Sequence, residues 1–303
     1  MFPKLTGLIA ATHTPFHDDR SLNLDVIPRQ AEHLAAAGVS AVFISGTTGE
    51  SHSLTVEERL ALTRRWTEVV RGTPLKLIVH VGHNCQADAT VLAGAAGEAD
   101  AIASLAPSFF KPKNVDELVR YLEPLARAAS DIPFYYYDIP SMTSVTLPVT
   151  TFLEAAPARI PNLAGVKYTN ADLIQLQECF AAAGGKFDIL FGIDEILLAS
   201  LAFGARGAVG SSYNFAAPIY RKVMAAFEAG DWTMARKEQA RAVALIRLLV
   251  RYDYLPAAKF VMSLLGVPVG PARSPLPDLG QEAKTRLERE LHETGLWDAL
   301  RAS

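Results

Sequence analysis

Eight successive pairings of a short apolar run with a longer helical pattern, between Leu5 and Asp231, predict an α/β chain folded as a (β/α)8 TIM barrel. Two further observations support this. No glycine fingerprint for a dinucleotide follows the first apolar run, which weighs against an open, doubly wound sheet. From Trp232 onward the strand-like runs stop and only helical patterns continue. The expected organisation is therefore a barrel over residues 1–231 and a C-terminal helical extension over 232–303, packed on the barrel rather than folded independently.

The elements follow in order. The first strand is expected near Leu8 to Thr12. Its helix, from about Leu24 to Ala37, has Asn23 as N-cap and Gly38 as stop. Strand two, Ala41 to Ser45, breaks into Gly46-Thr47-Thr48-Gly49-Glu50-Ser51. Thr55 and Glu58 have capping-box spacing and open a helix that runs to about Arg71. Strand three is Lys76 to Val81 and strand four Ala101 to Leu105, with a helix from about Asp88 to Ala99 between them. Pro107, Pro112 and Asn114 mark a loop before a helix near Val115 to Ala129. Strand five is Phe134 to Tyr137, and a short helix follows over Val149 to Ala156. Strand six carries Leu163-Ala164-Gly165-Val166-Lys167. Strand seven is Phe187 to Phe191, and its helix ends near Phe203. Strand eight is Ala208 to Gly210. The extension reads as helices interrupted at Pro256, Gly266 and the Pro268 to Pro277 loop.

Composition narrows the function classes. The chain has 303 residues, 50% hydrophobic, with a net charge of −3, enough for a large buried core. Charges of both signs are interspersed, and no basic stripe is present to track a phosphate backbone, so nucleic acid is not an expected partner. No run approaches membrane-spanning length and the N-terminus lacks signal-peptide character, so a cytoplasmic location is expected. Cys85 and Cys179 make no disulfide framework and are read as free thiols.

In a barrel of this kind the active site lies at the C-terminal ends of the strands, so the polar residues there are the candidates. Lys167 closes strand six. A desolvated lysine loses part of its preference for charge and becomes a nucleophile for a carbonyl; a lysine snorkelling from a strand end is the alternative. Thr47 and Thr48 sit on a glycine-flanked turn whose hydroxyls and N–H groups suit a carboxylate, or merely make the turn. Tyr137 shares one strand face with Tyr135, while Tyr136 takes the other. Thr169 lies on the Lys167 side. Asp194 and Glu195, after Gly192, precede a helix, where acids also serve as caps. Ser211 follows strand eight. His80, His83 and Cys85 form the one candidate metal cluster, but their spacing matches no zinc signature, and no metal is expected.

Taken together, Gly46-Thr47-Thr48-Gly49-Glu50, Tyr135-Tyr136-Tyr137-Asp138-Ile139-Pro140, Gly165-Val166-Lys167-Tyr168-Thr169, Gly192-Ile193-Asp194-Glu195 and Gly210-Ser211-Ser212-Tyr213-Asn214 resemble the dihydrodipicolinate synthase and N-acetylneuraminate lyase superfamily. The resemblance runs from Leu5 to about Leu276. It implies a TIM barrel with a helical extension, usually a homotetramer, and class I aldolase chemistry on pyruvate with no cofactor beyond an imine on Lys167. The lyase branch fits best: synthases carry an arginine two residues after the strand-five proline, and here that position is Met142. By this resemblance Lys167, Tyr137 and Thr47 are catalytic, and Thr47, Thr48, Thr169, Gly192, Asp194, Glu195 and Ser211 bind substrate. The implied reaction cleaves N-acetylneuraminate to N-acetylmannosamine and pyruvate. The alternatives are a pyruvate aldolase or dehydratase for another 2-keto-3-deoxy sugar acid, a synthase-like condensation, a metal-dependent aldolase, and a barrel that merely binds a keto acid. Two departures stand out: lyases of this kind commonly carry histidine where Asp138 stands, and Phe109 and Phe110 occupy a loop from which some relatives lend a tyrosine to the neighbouring subunit.

Overall fold

The computed structural model of the protein describes residues 2–301. Eight parallel strands close into a barrel in sequence order, with β1 paired to β8. They are β1 (Gly7–Ala11), β2 (Ala41–Ile44), β3 (Lys76–His80), β4 (Ala101–Leu105), β5 (Phe134–Asp138), β6 (Leu163–Tyr168), β7 (Asp188–Phe191) and β8 (Gly207–Gly210). Apart from Gly7, Lys76 and Ala164 near the strand starts, the strand positions are buried on both faces, which is why the strands read as apolar runs rather than as alternating ones. The two faces nevertheless carry different sets. Ile9, Phe43, Ile78, Ala103, Tyr135, Tyr137 and Leu190 fill the barrel. Leu8, Val42, Ile102, Tyr136 and Val166 pack outward against the helices.

The helices around the barrel are α1 (Ile27–Ala36), α2 (Val56–Val70), α3 (Gln86–Gly94), α4 (Val115–Ala128), a single turn α5 (Pro140–Thr143), α6 (Val149–Ala155), α7 (Leu173–Ala181), α8 (Leu197–Ala202) and α9 (Tyr213–Glu228). The predicted capping box is formed: Thr55 accepts from the Glu58 N–H, and the Glu58 carboxylate accepts from the Thr55 N–H. Asn23 caps a short 3-10 turn ahead of α1 rather than α1 itself. After Asp231 come α10 (Trp232–Val250), α11 (Tyr254–Leu264), α12 (Gln281–Glu293) and α13 (Leu296–Arg301). Among the described residues no helix is long and apolar enough to cross a membrane.

Several boundaries differ from the sequence expectation. Pro256 does not interrupt a helix. It is the third residue of α11, in the first turn, where its missing N–H has no intrahelical partner to lose. The break lies instead at Asp253, in the left-handed region with φ 56°. The third helix ends at Gly94 rather than Ala99, because Gly97 turns the chain at φ 54°. The turn α5 was not expected at all. Residues 1, 302 and 303, which the expected spans 1–231 and 232–303 include, lie outside the described residues.

Candidate active site

Lys167 is the penultimate residue of β6, on its inward side, and burial leaves only 4% of it exposed. Its amine lies 3.9 Å from the centre of the Phe43 ring and 3.8 Å from that of Tyr137. Two aromatic faces attract a cation but do not solvate it as water does. Burial accordingly pulls the Lys167 ammonium down from 10.5 to about 7, with Asp194 holding it up in part. Phe43 was not among the residues expected from sequence; its position on β2, in phase with the barrel interior, was the available signal.

Tyr137 stands beside Lys167, in register with it across β5 and β6. Its hydroxyl lies 3.4 Å from Thr47 Oγ1. Burial pushes the phenol up to about 12, against the favourable hydrogen bond from Thr47. The Thr169 hydroxyl is buried and has no hydrogen-bond partner of good geometry among the described residues. It packs against Gly192, where an added Cβ would fall 2.0 Å from Thr169 Oγ1. Gly192 therefore permits the approach of β7 to that hydroxyl.

Asp194 is buried, and its carboxylate accepts from both the N–H and the hydroxyl of Ser212. Burial raises it to about 7, while the Ser212 hydrogen bonds act in the opposite direction. Gly210 leaves the necessary space, since a Cβ there would lie 2.0 Å from Asp194 Oδ1. Glu195, its neighbour, is exposed. Gln239 of α10 donates to the carbonyls of Asp194 and Glu195 and accepts from the N–H of Leu198, so the extension fixes the turn that presents both acids. Ser211 Oγ lies 2.7 Å from the Tyr254 hydroxyl. Ser212 stood in the quoted Gly210 to Asn214 segment without a role; Gln239 and Tyr254 were missed from sequence, because each meets the site across a long chain separation that no local pattern records.

These groups surround one cavity of about 280 Å³ at the C-terminal mouth of the barrel. Thr47, Thr48, Tyr137, Lys167, Thr169, Gly192, Asp194, Glu195 and Ser211 all line it, and Ile246, Val250 and Tyr254 close one side. A larger cleft of about 600 Å³ lies between the segment after β1 and the extension, bounded by Phe16, Arg20, Phe260 and Lys284. The smaller cavity is the candidate site because there a near-neutral amine, a phenol and hydroxyls converge.

Four residues singled out from sequence lie elsewhere. Asp138 is on the outward face of β5, 1% exposed, and accepts from Asn170 Nδ2 at 3.1 Å; it does not line the cavity, although its charge helps to raise the Tyr137 phenol. Met142 is 63% exposed on α5, and Phe109 and Phe110 are 77% and 86% exposed, outside the cavity lining. The suggested metal trio is not assembled either. His80 is turned inward with Nδ1 2.7 Å from the Ser45 carbonyl. His83, Cys85 and Asp88 do bring ligand atoms within 4.8 Å of one another, but His83 Nδ1 already accepts from the Cys85 N–H at 3.0 Å. That cluster also sits at the N-terminus of α3, where the helix dipole disfavours a cation.

A buried amine facing a phenol, with hydroxyls and backbone donors beside it, is equipped to bind a keto acid through an imine. The chain belongs to the dihydrodipicolinate synthetase family, whose pattern matches residues 4–294. Within that family it is similar to the N-acetylneuraminate lyase of Xenopus tropicalis, 41% identical over 278 residues covering 90% of this chain and 91% of that one. Among solved structures it resembles the Proteus mirabilis N-acetylneuraminate lyase, 41% identical with a TM-score of 0.93 over 96% of this chain and 99% of that one. A DHDPS from Cyanidioschyzon merolae is 28% identical with a TM-score of 0.87, over 95% and 98% of the two chains.

Proposed function

We propose that this protein is a Schiff-base aldolase that cleaves N-acetylneuraminate to N-acetylmannosamine and pyruvate. The observation that carries the reading is the Lys167 amine, buried between Phe43 and Tyr137 and pulled down to about 7. The names and degree of similarity of the lyase relatives support the choice of substrate. So does Met142 at the position where a synthase carries the arginine for a second carboxylate.

In this reading the free amine of Lys167 attacks C2 of the open-chain keto acid, and loss of water leaves a protonated imine. Thr47, Thr48 and their backbone N–H groups hold the substrate carboxylate. The C4 hydroxyl gives up its proton as the C3–C4 bond breaks; the bond electrons pass into the imine to form an enamine, and the aldehyde product leaves. Tyr137, oriented by Thr47 and acting with the substrate carboxylate, relays that proton. The enamine takes a proton at C3, and water hydrolyses the resulting imine to pyruvate and free Lys167. Thr169, Gly192, Asp194, Glu195 and Ser211 hold the hydroxyl-bearing tail; the buried Asp194 carboxylate, which takes O–H donors, discriminates against substrates lacking them. No metal or organic cofactor takes part.

Residues 1–231 form the catalytic barrel and 232–303 the packed extension. The working assembly is a homotetramer in the cytoplasm; the exposed pair Phe109 and Phe110, edge to face with centroids 5.0 Å apart, supports a contact between copies there. Light scattering distinguishes four chains from two.

The test is borohydride reduction in the presence of pyruvate, with intact mass and peptide mapping, followed by turnover of a panel of sugar acids. A pyruvate-sized adduct on Lys167, absent in Lys167→Ala, together with cleavage of N-acetylneuraminate is expected. No adduct on folded protein sinks the imine mechanism. An adduct without cleavage of N-acetylneuraminate moves the substrate to another 2-keto-3-deoxy sugar acid.

A further inference from the structure

The turn that carries Thr47 and Thr48 ends at Glu50, and Glu50 is held in an unusual way. It is a non-glycine residue in the left-handed region, φ 55°, and it is buried. Such a conformation persists only where the surroundings over-determine it. Here they do. One oxygen of its carboxylate lies 2.9 Å from Lys259 Nζ, and the other accepts from the Arg273 N–H at 2.7 Å. Both side chains of the ion pair are almost fully shielded from solvent, at 1% and 2% exposure. The Lys259 ammonium also donates to the Thr14 and Pro271 carbonyls at 3.0 and 2.7 Å, so each of its three N–H groups has an acceptor.

These contacts converge on the turn from the far end of the chain. Thr14 donates its hydroxyl to the Gly49 carbonyl, and the Glu50 N–H donates to the Thr47 carbonyl. Gly49 is packed so closely that an added Cβ would lie 3.1 Å from the Thr12 carbonyl. Arg273 spans outward to Ser53 and to Glu58. Lys259 belongs to α11, so the extension reaches under the loop that follows β2.

We infer that Lys259, through Glu50, is a positioning residue that sets the Thr47–Thr48 turn to receive the carboxylate of a 2-keto acid. This rests on the imine reading of Lys167. Burial pulls Lys259 down to about 8 even with Glu50 beside it. The pair is thus held against a desolvation cost, which fits a part that fixes geometry better than one that only adds stability. Apolar replacement of one partner leaves the other charge buried and unmatched, and the turn relaxes to reach water.

The experiment measures borohydride trapping on Lys167 as a function of concentration for two probes, pyruvate and hydroxyacetone. Both offer a carbonyl to the amine; only pyruvate offers a carboxylate to the turn. In Lys259→Met the half-saturating concentration of pyruvate should rise by roughly tenfold or more, the worth of one charge-assisted hydrogen bond, with that of hydroxyacetone little changed. Glu50→Gln, which keeps the shape and an acceptor for Arg273, should show the same selective loss and decides the matter if Lys259→Met does not fold. Equal losses for the two probes, or an unchanged ratio in either folded variant, would overturn the positioning role. Absence of trapping in the unaltered protein would instead overturn the imine reading itself.

Discussion

Lys167 differs from a surface lysine by its environment rather than by its own chemistry. A fall from 10.5 to about 7 gives roughly 10³-fold more free amine near neutral pH. Only that form attacks a carbonyl, so trapping of pyruvate should fall as pH drops below about 7, approaching tenfold per pH unit. Asp194, also brought to about 7, faces the same amine, and the two protonations are coupled. Its charge holds the ammonium up, so Asp194→Asn should move the acid limb of the pyruvate-trapping profile to lower pH. A limb that stays put or moves up would show that Asp194 does not act on Lys167. Tyr137 poses the opposite problem. A phenol pushed up to about 12 is a weak donor and is scarcely ionised at neutral pH, which is why the proposed mechanism has it relay a proton to or from the substrate carboxylate. Tyr137→Phe should lower kcat on the order of 10²–10⁴-fold with a smaller change in KM. An unchanged kcat would reduce Tyr137 to a wall of the amine pocket.

The strands deliver these groups because their neighbours are small where two elements must meet. At Gly165, two residues before Lys167, an added Cβ would lie 1.8 Å from the Asp188 carbonyl on β7. A backbone atom cannot turn aside as a side chain can. Gly165→Ala should therefore separate β6 from β7, lower the melting temperature sharply and abolish imine trapping; a variant that melts and traps like the parent would show that the strands yield at little cost. Much at this scale was legible. The period-two split of Tyr135 and Tyr137 from Tyr136, the Thr55–Glu58 box and the polar residues after each strand all follow from local rules. What escaped was set by distance along the chain. Pro256 read as a break because a proline in the first turn of a helix and one between helices look alike in sequence. Asp138, one residue beyond Tyr137, stands out in sequence only as a departure from the histidine of similar lyases, and strand alternation puts it on the outer face, away from the cavity lining. Gln239 and Tyr254 reach the site from the extension, and nothing near them in the sequence marks the loop they meet.

At the scale of the whole molecule, the extension completes the site as well as covering the barrel. Its α10 lies along α9, and Leu245, Leu248 and Leu249 are buried there. It also supplies Ile246, Val250 and Tyr254 to the cavity, Gln239 to the acid-bearing turn and Lys259 to Glu50. A chain ending at Asp231 would lose all of these at once. It would expose the side of α9 that α10 covers and leave the Glu50 carboxylate without its cation. The barrel strands would remain, but the turn bearing Thr47 and Thr48 and the turn bearing Asp194 would each lose a support. We expect that truncated chain to aggregate or to lack a cooperative thermal transition, by calorimetry and near-ultraviolet dichroism, and to show no pyruvate adduct on Lys167. A soluble product with a sharp melt would make residues 1–231 an independent domain. If it also trapped pyruvate with the affinity of the full chain, the supports from α10 and α11 would be dispensable, and the carboxylate turn would have to be held by Thr14 and Gly49 alone.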